Sequence, residues 1–298
     1  MSGFRRVPSY LCSRVLGCDN LLRALSSLRT LFDVRNVRNS IVNRNIGVQV
    51  VRSVHDNAYV RSLLNAGASL PGFTETLDRA TLSALCADMA ALQCAQTPAS
   101  SSGGRVTTYA CCPSGGRQAR YASSDTDGDA GGTELFNNTV ICALRLGEEI
   151  PAPAAIVVLD MVLSPALGTK TMISEIRNKR YKLLDVFLDQ RHVACGTARF
   201  DRCDRIGAFP VPFLQSSVVA GLQRATESVG HALLRIPDPI GAVVVCIDSD
   251  PGPRWWERVA SLVSRYTDKS CPVVVLHERC RGTEHDAACV RAFFETLV

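Results

Sequence analysis

The sequence contains 298 residues, of which 46% are hydrophobic and 20% are charged, so the chain has enough apolar side chains to build a substantial core. This composition excludes a chain that is disordered throughout, and the lack of any apolar run of about eighteen residues excludes a transmembrane helix. The formal net charge is +5, and the excess of positive charge lies near the N-terminus.

The N-terminal segment, residues 1–54, contains nine arginines and two aspartates but no lysine. A segment that is rich in Arg, contains Ser and is poor in acidic residues is typical of a mitochondrial transit peptide. We therefore predict a mitochondrial location, with a cytoplasmic or a cytoskeletal or ciliary location as the alternative. A second interpretation of the same residues is a basic amphipathic helix that binds a protein partner or RNA.

The next two segments differ in their periodicity. Residues 55–95 are predicted to form a helical region, because apolar residues recur at helical spacing between Thr74 and Cys94. Residues 96–132 are rich in Ser, Gly, Asp and Thr and show no period, which predicts a flexible linker. The only regular element that we expect in this linker is a short pair of strands within residues 105–121.

The chain contains thirteen cysteines, which raises the question of disulfides and metal sites. Several of them, such as Cys246, lie in apolar runs, and the count is odd, so we interpret them as reduced thiols of an intracellular protein. Neither Cys111 with Cys112 nor Cys280 with His285 is completed by further ligands at zinc-site spacing, and the sequence therefore predicts no metal site. The five histidines are scattered along the chain, so we also expect no Ser-His-Asp or Cys-His catalytic group.

From residue 133 to residue 298, apolar strands alternate with helices. Three runs rich in β-branched residues, Ala154–Leu163, Ala242–Ile247 and Pro272–Leu276, lack polar alternation, which is typical of strands buried on both faces. The order of strands and helices predicts a three-layer α/β domain with a parallel sheet. The predicted helices are Thr171–Tyr181, Ser216–Leu234, Arg254–Tyr266 and Thr283–Leu297.

The order of these elements resembles a small GTPase of the Ras superfamily. After the first of the three strands, residues 164–171 read S-P-A-L-G-T-K-T where the family has the P-loop motif G-x-x-x-x-G-K-[ST]. Ser164 and Thr169 replace the two glycines that let the backbone approach the phosphates. Gly168 lies one residue from the second glycine position and restores part of that freedom. The resemblance therefore implies a degenerate P-loop.

Four further positions carry the resemblance. It implies that Lys170 meets the β- and γ-phosphates and that Thr171 binds Mg²⁺, although an exposed lysine and a helix N-cap are simpler interpretations of the two residues. Residues 204–207 read D-R-I-G and match the family's D-x-x-G motif, in which Asp204 would reach Mg²⁺ and Gly207 would contact the γ-phosphate. The cofactor that the resemblance implies is GTP or GDP with Mg²⁺.

Other residues that the family requires are missing. No Gln follows Gly207, and residues 277–280 read H-E-R-C where the guanine-reading N-K-x-D motif is expected. The leading hypothesis is therefore a degenerate GTPase-like protein without catalytic residues, which acts as a binding or structural subunit of a larger assembly. Two alternatives stay open: an active nucleotide-dependent switch with atypical base recognition, and an RNA-associated mitochondrial scaffold or ribosome component.

Three further features have two interpretations each. Asp160 lies inside an apolar run, so it needs a buried partner unless it stands at the end of the strand. Asp248 and Asp250 follow a strand, where α/β proteins place functional carboxylates, but they are equally suited to a turn. Trp255 and Trp256 predict one core anchor and one exposed contact for a partner.

Overall fold

A computed structural model describes residues 6–11, 18–27, 32–98, 105–114, 116–120, 134–189, 199–200, 205–212, 215–250 and 252–297. All structural statements below refer to these residues. No helix among them is long and apolar enough to cross a membrane.

A nine-stranded sheet forms the centre of the fold. Its strands, numbered in chain order, are β1 (Val7–Leu11), β2 (Phe32–Asn36), β3 (Thr107–Cys112), β4 (Ala155–Leu163), β5 (Tyr181–Asp189), β6 (Arg199–Phe200), β7 (Ile206–Pro212), β8 (Ile240–Ile247) and β9 (Val273–Glu278). Their order across the sheet is β2-β1-β3-β9-β8-β4-β5-β7-β6. Eight strands are parallel, and the two-residue β6 pairs with β7 in the antiparallel direction.

Helices cover both faces of the sheet. They are α1 (Cys18–Ser27), α2 (Ile41–Val54), α3 (Asn57–Ser69), α4 (Pro71–Gln96), α5 (Asn138–Glu149), α6 (Leu167–Glu175), α7 (Gln215–Leu234), α8 (Pro253–Tyr266) and α9 (Glu284–Leu297). Side chains of α1, α7, α8 and α9 share one core with the sheet, and side chains of α4, α5 and α6 share the core of the opposite face. Helices α2 and α3 pack on α4 in a third, smaller core. The predicted three-layer α/β arrangement with a parallel sheet is thereby confirmed.

The strand β4 shows why its sequence lacks polar alternation. Val157 and Leu159 belong to the core on one face of the sheet, whereas Ile156 and Val158 belong to the core on the other face. Each of these four side chains is fully buried. A strand with helices on both faces needs apolar residues at successive positions. The three strands predicted from apolar runs are confirmed as β4, β8 and β9.

The connections between strands create a break in the middle of the sheet. Strands β4 and β8 are neighbours, but the chain continues from β4 to β5 on one side and from β8 to β9 on the other. In open α/β sheets, ligands bind at the carboxyl ends of the strands beside such a reversal. The topology therefore predicts a ligand site near the residues that follow β4, β8 and β9.

The prediction of a mostly helical N-terminal region needs correction. Residues 57–69 and 71–96 are helices, but β1 and β2 lie earlier in the chain and form one end of the sheet. The segment that was expected to be a linker contains β3, which pairs with β1 and β9 and not with a hairpin partner. The sequence of a short strand such as β2 shows no clear hydrophobic period. Which of its side chains are buried depends on partner strands that lie elsewhere in the sequence.

The structure also differs from the prediction next to the supposed GTPase motifs. The predicted helix ending at Tyr181 is shorter, since α6 ends at Glu175 and Tyr181 begins β5. Gly207 lies inside β7, paired with Leu184 of β5. Residues 192–198 of the predicted strand His192–Phe200 lie outside the described residues, and Arg199–Phe200 form β6.

Candidate active site at the carboxyl edge of the sheet

A chain of polar side chains connects the middle of β3 with the carboxyl ends of β8 and β9. His277, near the end of β9, contacts the hydroxyl of Tyr109 through Nδ1 at 2.9 Å and the hydroxyl of Ser249 through Nε2 at 2.8 Å. Ser249 also donates to Oδ1 of Asp286 in the first turn of α9, and Asp286 Oδ1 lies 3.6 Å from His277 Nε2. The order of contacts is therefore Tyr109, His277, Ser249, Asp286.

Asp286 is held in place from both sides. Its Oδ2 accepts hydrogen bonds from the backbone N–H of Thr283 at 2.7 Å and from the Thr283 hydroxyl at 3.0 Å. Burial by itself would raise the pKa of the Asp286 carboxyl, but the hydrogen bonds from Ser249 and Thr283 lower that pKa below its usual value. The carboxylate is therefore ionised at neutral pH, although it is almost completely buried.

Cys280 completes a group of potential metal ligands with His277 and Asp286. One ligand atom from each residue lies within 4.8 Å of the others, and all three side chains are buried. Imidazole nitrogen, thiolate sulfur and carboxylate oxygen are the ligand types that zinc takes in proteins. The sequence spacing predicted no such set, because Asp286 reaches it only when the first turn of α9 folds against the end of β9.

Tryptophans from α8 form one wall of this cluster. The Trp256 ring packs edge to face on His277 with 4.9 Å between centroids, and its Nε1–H donates to the backbone oxygen of Asp248. Trp255 donates to the backbone oxygen of Met161 in β4. Both tryptophans are buried, so the prediction of one exposed contact is wrong. They anchor α8 to the carboxyl edge and hold the imidazole of His277 in a rigid, apolar setting.

The same edge carries local backbone strain. Leu163, the last residue of β4, has φ of 65°, and Arg279, directly after β9, has φ of 53°. Residues with a Cβ rarely adopt positive φ, and such outliers cluster at functional sites. Leu163 ends β4 and Arg279 follows β9, so both lie at the carboxyl edge of the sheet. This observation supports the carboxyl edge as the functional part of the fold.

A buried ion pair occupies the carboxyl end of β4. Asp160 is fully buried, and Arg117 Nη1 donates to its two carboxylate oxygens at 2.9 and 3.0 Å. Arg117 also donates to the backbone oxygen and to the hydroxyl of Ser164. Burial raises the pKa of the Asp160 carboxyl, and Arg117 opposes that rise. Asp160 therefore has the buried partner that its position in an apolar run requires.

Further carboxyl groups surround this pair. Burial, followed by the charge of Asp160, raises the pKa of Asp185 on β5 to about 8. Burial also raises the pKa of Glu278 well above its usual value, and neither of its carboxyl oxygens has a hydrogen-bond partner among the described residues. Glu134 is bound by the half-exposed Arg279 at 3.0 Å. Two arginines and the raised pKa values of Asp185 and Glu278 thus limit the negative charge of this group.

The residues of the supposed P-loop contact protein groups. Thr169 donates from its backbone N–H to the backbone oxygen of Arg117 at 2.9 Å, and its hydroxyl contacts Asn137. A Cβ on Gly168 would stand 2.4 Å from backbone atoms of Gln118 and Ala119. Gly168 is therefore required by close packing against residues 117–119, which fill the space in front of the helix.

Of the remaining predicted nucleotide-binding residues, the described ones lie in two elements, Lys170 and Thr171 in α6 and Gly207 in β7. Lys170 is exposed, and the Thr171 hydroxyl donates to the backbone oxygen of Leu167 one turn earlier in α6. Asp204 lies outside the described residues, and Gly207 is a strand residue. The turn after β8 contains Asp248, whose pKa is raised by burial.

The residues that sequence reasoning missed are Ser249, His277 and Asp286. They are separated by 28 and 9 positions and lie in a turn, a strand and a helix, so no local motif joins them. The available signal was the position of Ser249 and His277 at the ends of two apolar strands that were correctly predicted. Two such strand ends meet whenever the strands are neighbours in a parallel sheet.

Comparison with known proteins assigns the fold. No model of a protein family matches the sequence, and no curated protein matches it. Among solved structures, the crystal structure of the HDA15 HD domain is similar to this chain, with a TM-score of 0.66 and 15% identity over 98% of this chain and 88% of that chain. That domain is a histone deacetylase with an arginase/deacetylase-like α/β fold. At this level of identity the similarity establishes the fold of this chain and not its activity.

This comparison overturns the resemblance to a small GTPase. That resemblance was the basis for the P-loop, for the GTPase-like binding subunit and for the cofactor GTP or GDP with Mg²⁺. The first two predictions are wrong, and nothing supports the third. The physical reason is that valine-rich strands in alternation with helices are common to many α/β folds. A Lys-Thr pair at the start of a helix does not distinguish them. The mitochondrial location stays a prediction.

Proposed function

We propose that the chain is a hydrolase whose reaction centre consists of Ser249, His277, Cys280 and Asp286, and that this centre binds a divalent transition metal such as Zn²⁺. The observation that carries the proposal is the convergence of three ligand types within 4.8 Å at the carboxyl edge. The deacetylase-like fold and the strained residues at the same edge support it.

The donor set fits such an ion in charge and in orientation. Asp286 is ionised and held by Thr283 through one oxygen, which leaves the other oxygen directed at His277. The Tyr109 hydroxyl at Nδ1 orients the imidazole so that Nε2 faces the cluster. Ligating histidines in metalloproteins are oriented through their second nitrogen in this way.

The residues of the centre have distinct roles in this proposal. A bound ion would polarise the carbonyl of a substrate and lower the pKa of a water molecule. Ser249 lies 2.8 Å from His277 Nε2 and also contacts Asp286, so its hydroxyl holds these two side chains in position next to each other. Trp256 and the surrounding apolar core exclude bulk water and strengthen these polar interactions. Acyl amides are the first substrate class to test, because the similar structure is a deacetylase domain.

Metal binding is tested separately from activity. The purified chain is treated with a chelator, dialysed against Zn²⁺ and analysed by inductively coupled plasma mass spectrometry, and the thiolate-to-cobalt absorption is recorded after loading with Co²⁺. We expect Cys280→Ser to bind one zinc ion fewer than the wild type and to lose part of the cobalt band. Cys271→Ser is the matched control, because Cys271 is buried at the opposite edge of the sheet, before β9.

Zinc binding that is identical in wild type, Cys280→Ser and Cys271→Ser would refute the metal centre. Activity is then measured as release of acetate from an acetyl-lysine peptide. Asp286→Asn keeps the shape of the side chain but removes its charge, so we expect a loss of hydrolysis of at least about 100-fold. A wild-type chain that binds zinc but hydrolyses neither acyl amides nor activated esters would contradict the hydrolase assignment and leave the metal site intact.

A second candidate, a hydrolase with Ser249 as nucleophile, is favoured by the 2.8 Å contact between Ser249 and His277. In this reading His277 accepts the serine proton, but the carboxylate of Asp286 contacts the serine, whereas in serine hydrolases it orients the imidazole. A fluorophosphonate probe would label the wild type and the control Ser270→Ala, which lies in an exposed turn, but not Ser249→Ala. Absence of labelling in all three proteins excludes this candidate.

A further inference from the structure

Beside the buried centre, a second set of metal-ligand atoms lies closer to the surface. His285 Nε2 is 3.3 Å from the backbone oxygen of Ser249 and 3.8 Å from Cys289 Sγ, and Cys289 Sγ is 3.7 Å from the same oxygen. We propose that His285, Cys289 and the carbonyl of Ser249 form a second binding site for a zinc-type divalent cation. The site is distinct from the centre of the proposed function, with which it shares only residue Ser249.

The three distances agree with the geometry of a single bound ion. Zinc bonds are about 2.0–2.1 Å long to nitrogen, about 2.3 Å to sulfur and about 2.0–2.2 Å to oxygen. Two ligands of a tetrahedral ion are then about 3.3–3.6 Å apart, from the same bond lengths and a tetrahedral angle. The measured separations of 3.3, 3.7 and 3.8 Å lie within a few tenths of an ångström of this range. Small side-chain adjustments are enough to place all three atoms on one ion.

The ligands stand on elements that hold them in place. His285 and Cys289 are four residues apart on α9, and this spacing puts both side chains on one face of the helix. Ser249 belongs to the turn after β8, and its own hydroxyl is fixed by His277 and Asp286. Gly252, at the end of this turn, has φ of 105°, and a Cβ there would lie 3.5 Å from His285 Cε1. The turn therefore leaves room for the imidazole.

Access and charge favour a cation at this position. His285 is exposed, so an ion can enter from solvent, whereas Cys289 is buried beneath it. Asp248, Asp250 and Asp286 lie near enough to Cys289 to raise the pKa of its thiol, in addition to the larger effect of burial. These acidic groups attract a cation, and water could complete the coordination of a bound ion on the exposed side of His285. The thiol and imidazole ligands select zinc-type ions over Mg²⁺ and Ca²⁺, which prefer oxygen.

The alternative is that the thiol and the imidazole only donate hydrogen bonds to the Ser249 carbonyl. Zinc stoichiometry after equilibrium dialysis distinguishes the two readings in the full chain. We expect His285→Gln and Cys289→Ser each to bind one zinc ion fewer than the wild type, and Cys271→Ser to bind the wild-type amount. His285→Gln is the decisive variant, because it changes an exposed side chain and is expected to fold normally by circular dichroism.

The loss of zinc in His285→Gln must be independent of the loss in Cys280→Ser. If both proposals hold, the variant with both substitutions binds two zinc ions fewer than the wild type. If the buried centre fails, Cys280→Ser matches the wild type while His285→Gln still loses one ion. Unchanged zinc binding in His285→Gln, with one ion lost in Cys280→Ser, would overturn the second site and leave the first.

Discussion

The buried pair between Arg117 and Asp160 offers a sharp test of the fold. Arg117 is 1% exposed and Asp160 is fully buried, so water cannot replace either partner. Replacing Arg117 with Met leaves Asp160 without its donor and also removes the bonds to Ser164. Removal of one member of a buried ion pair costs about 3–5 kcal/mol in the free energy of unfolding. For a chain of 298 residues that corresponds to a fall in Tm of about 5–8 °C.

The assay is urea unfolding followed by circular dichroism at neutral pH, together with a thermal scan. Arg291→Met is the matched control, because its pair with Glu295 is about half exposed and contributes about 0–1 kcal/mol. The double variant Arg117→Met with Asp160→Leu removes the unpaired charge, so we expect it to be more stable than Arg117→Met alone. An Arg117→Met protein within about 1 kcal/mol of wild type would show that Asp160 is neutral or hydrated and would refute the reasoning.

Two more predictions concern the supposed P-loop region and its neighbour on β5. Gly168→Ala puts a Cβ 2.4 Å from backbone atoms that cannot turn away, so we expect the free energy of unfolding in urea to fall by about 1–3 kcal/mol. Gly72→Ala in α4 is the control, because its Cβ meets no atom within 4 Å and the substitution should be neutral or stabilising. Equal stabilities of the two variants would contradict the packing around Gly168. The folded-state pKa of Asp185, about 8, lies above its ordinary value, so its contribution to stability is complete below pH about 4 and is lost as pH rises towards 8. The stability of Asp185→Asn should therefore fall less than that of wild type between pH 5 and pH about 8, and parallel pH profiles would show that Asp185 is already ionised.

The sequence by itself determined the layers of the fold. Successive apolar residues in β4, β8 and β9 can be buried only if helices cover both faces of a sheet, and their alternation with helices requires parallel strands. These are local consequences of side-chain chemistry, so they could be predicted from single segments. A carboxylate within an apolar run, Asp160, likewise indicated that a buried partner is needed, but the sequence did not identify Arg117 as that partner.

Only the tertiary structure decided which strands are neighbours, and this choice determined the fold family and the site. The pairing of β9 with both β3 and β8 brings Tyr109, His277 and Ser249 together, and the fold of α9 against β9 adds Asp286. Strand order depends on the summed packing of elements far apart in sequence, and no local pattern encodes it. Lys170 and Thr171 resembled a phosphate site for the same reason. The residues around Arg117, which fill the space in front of the helix where a phosphate would bind, are distant from this pair in the sequence.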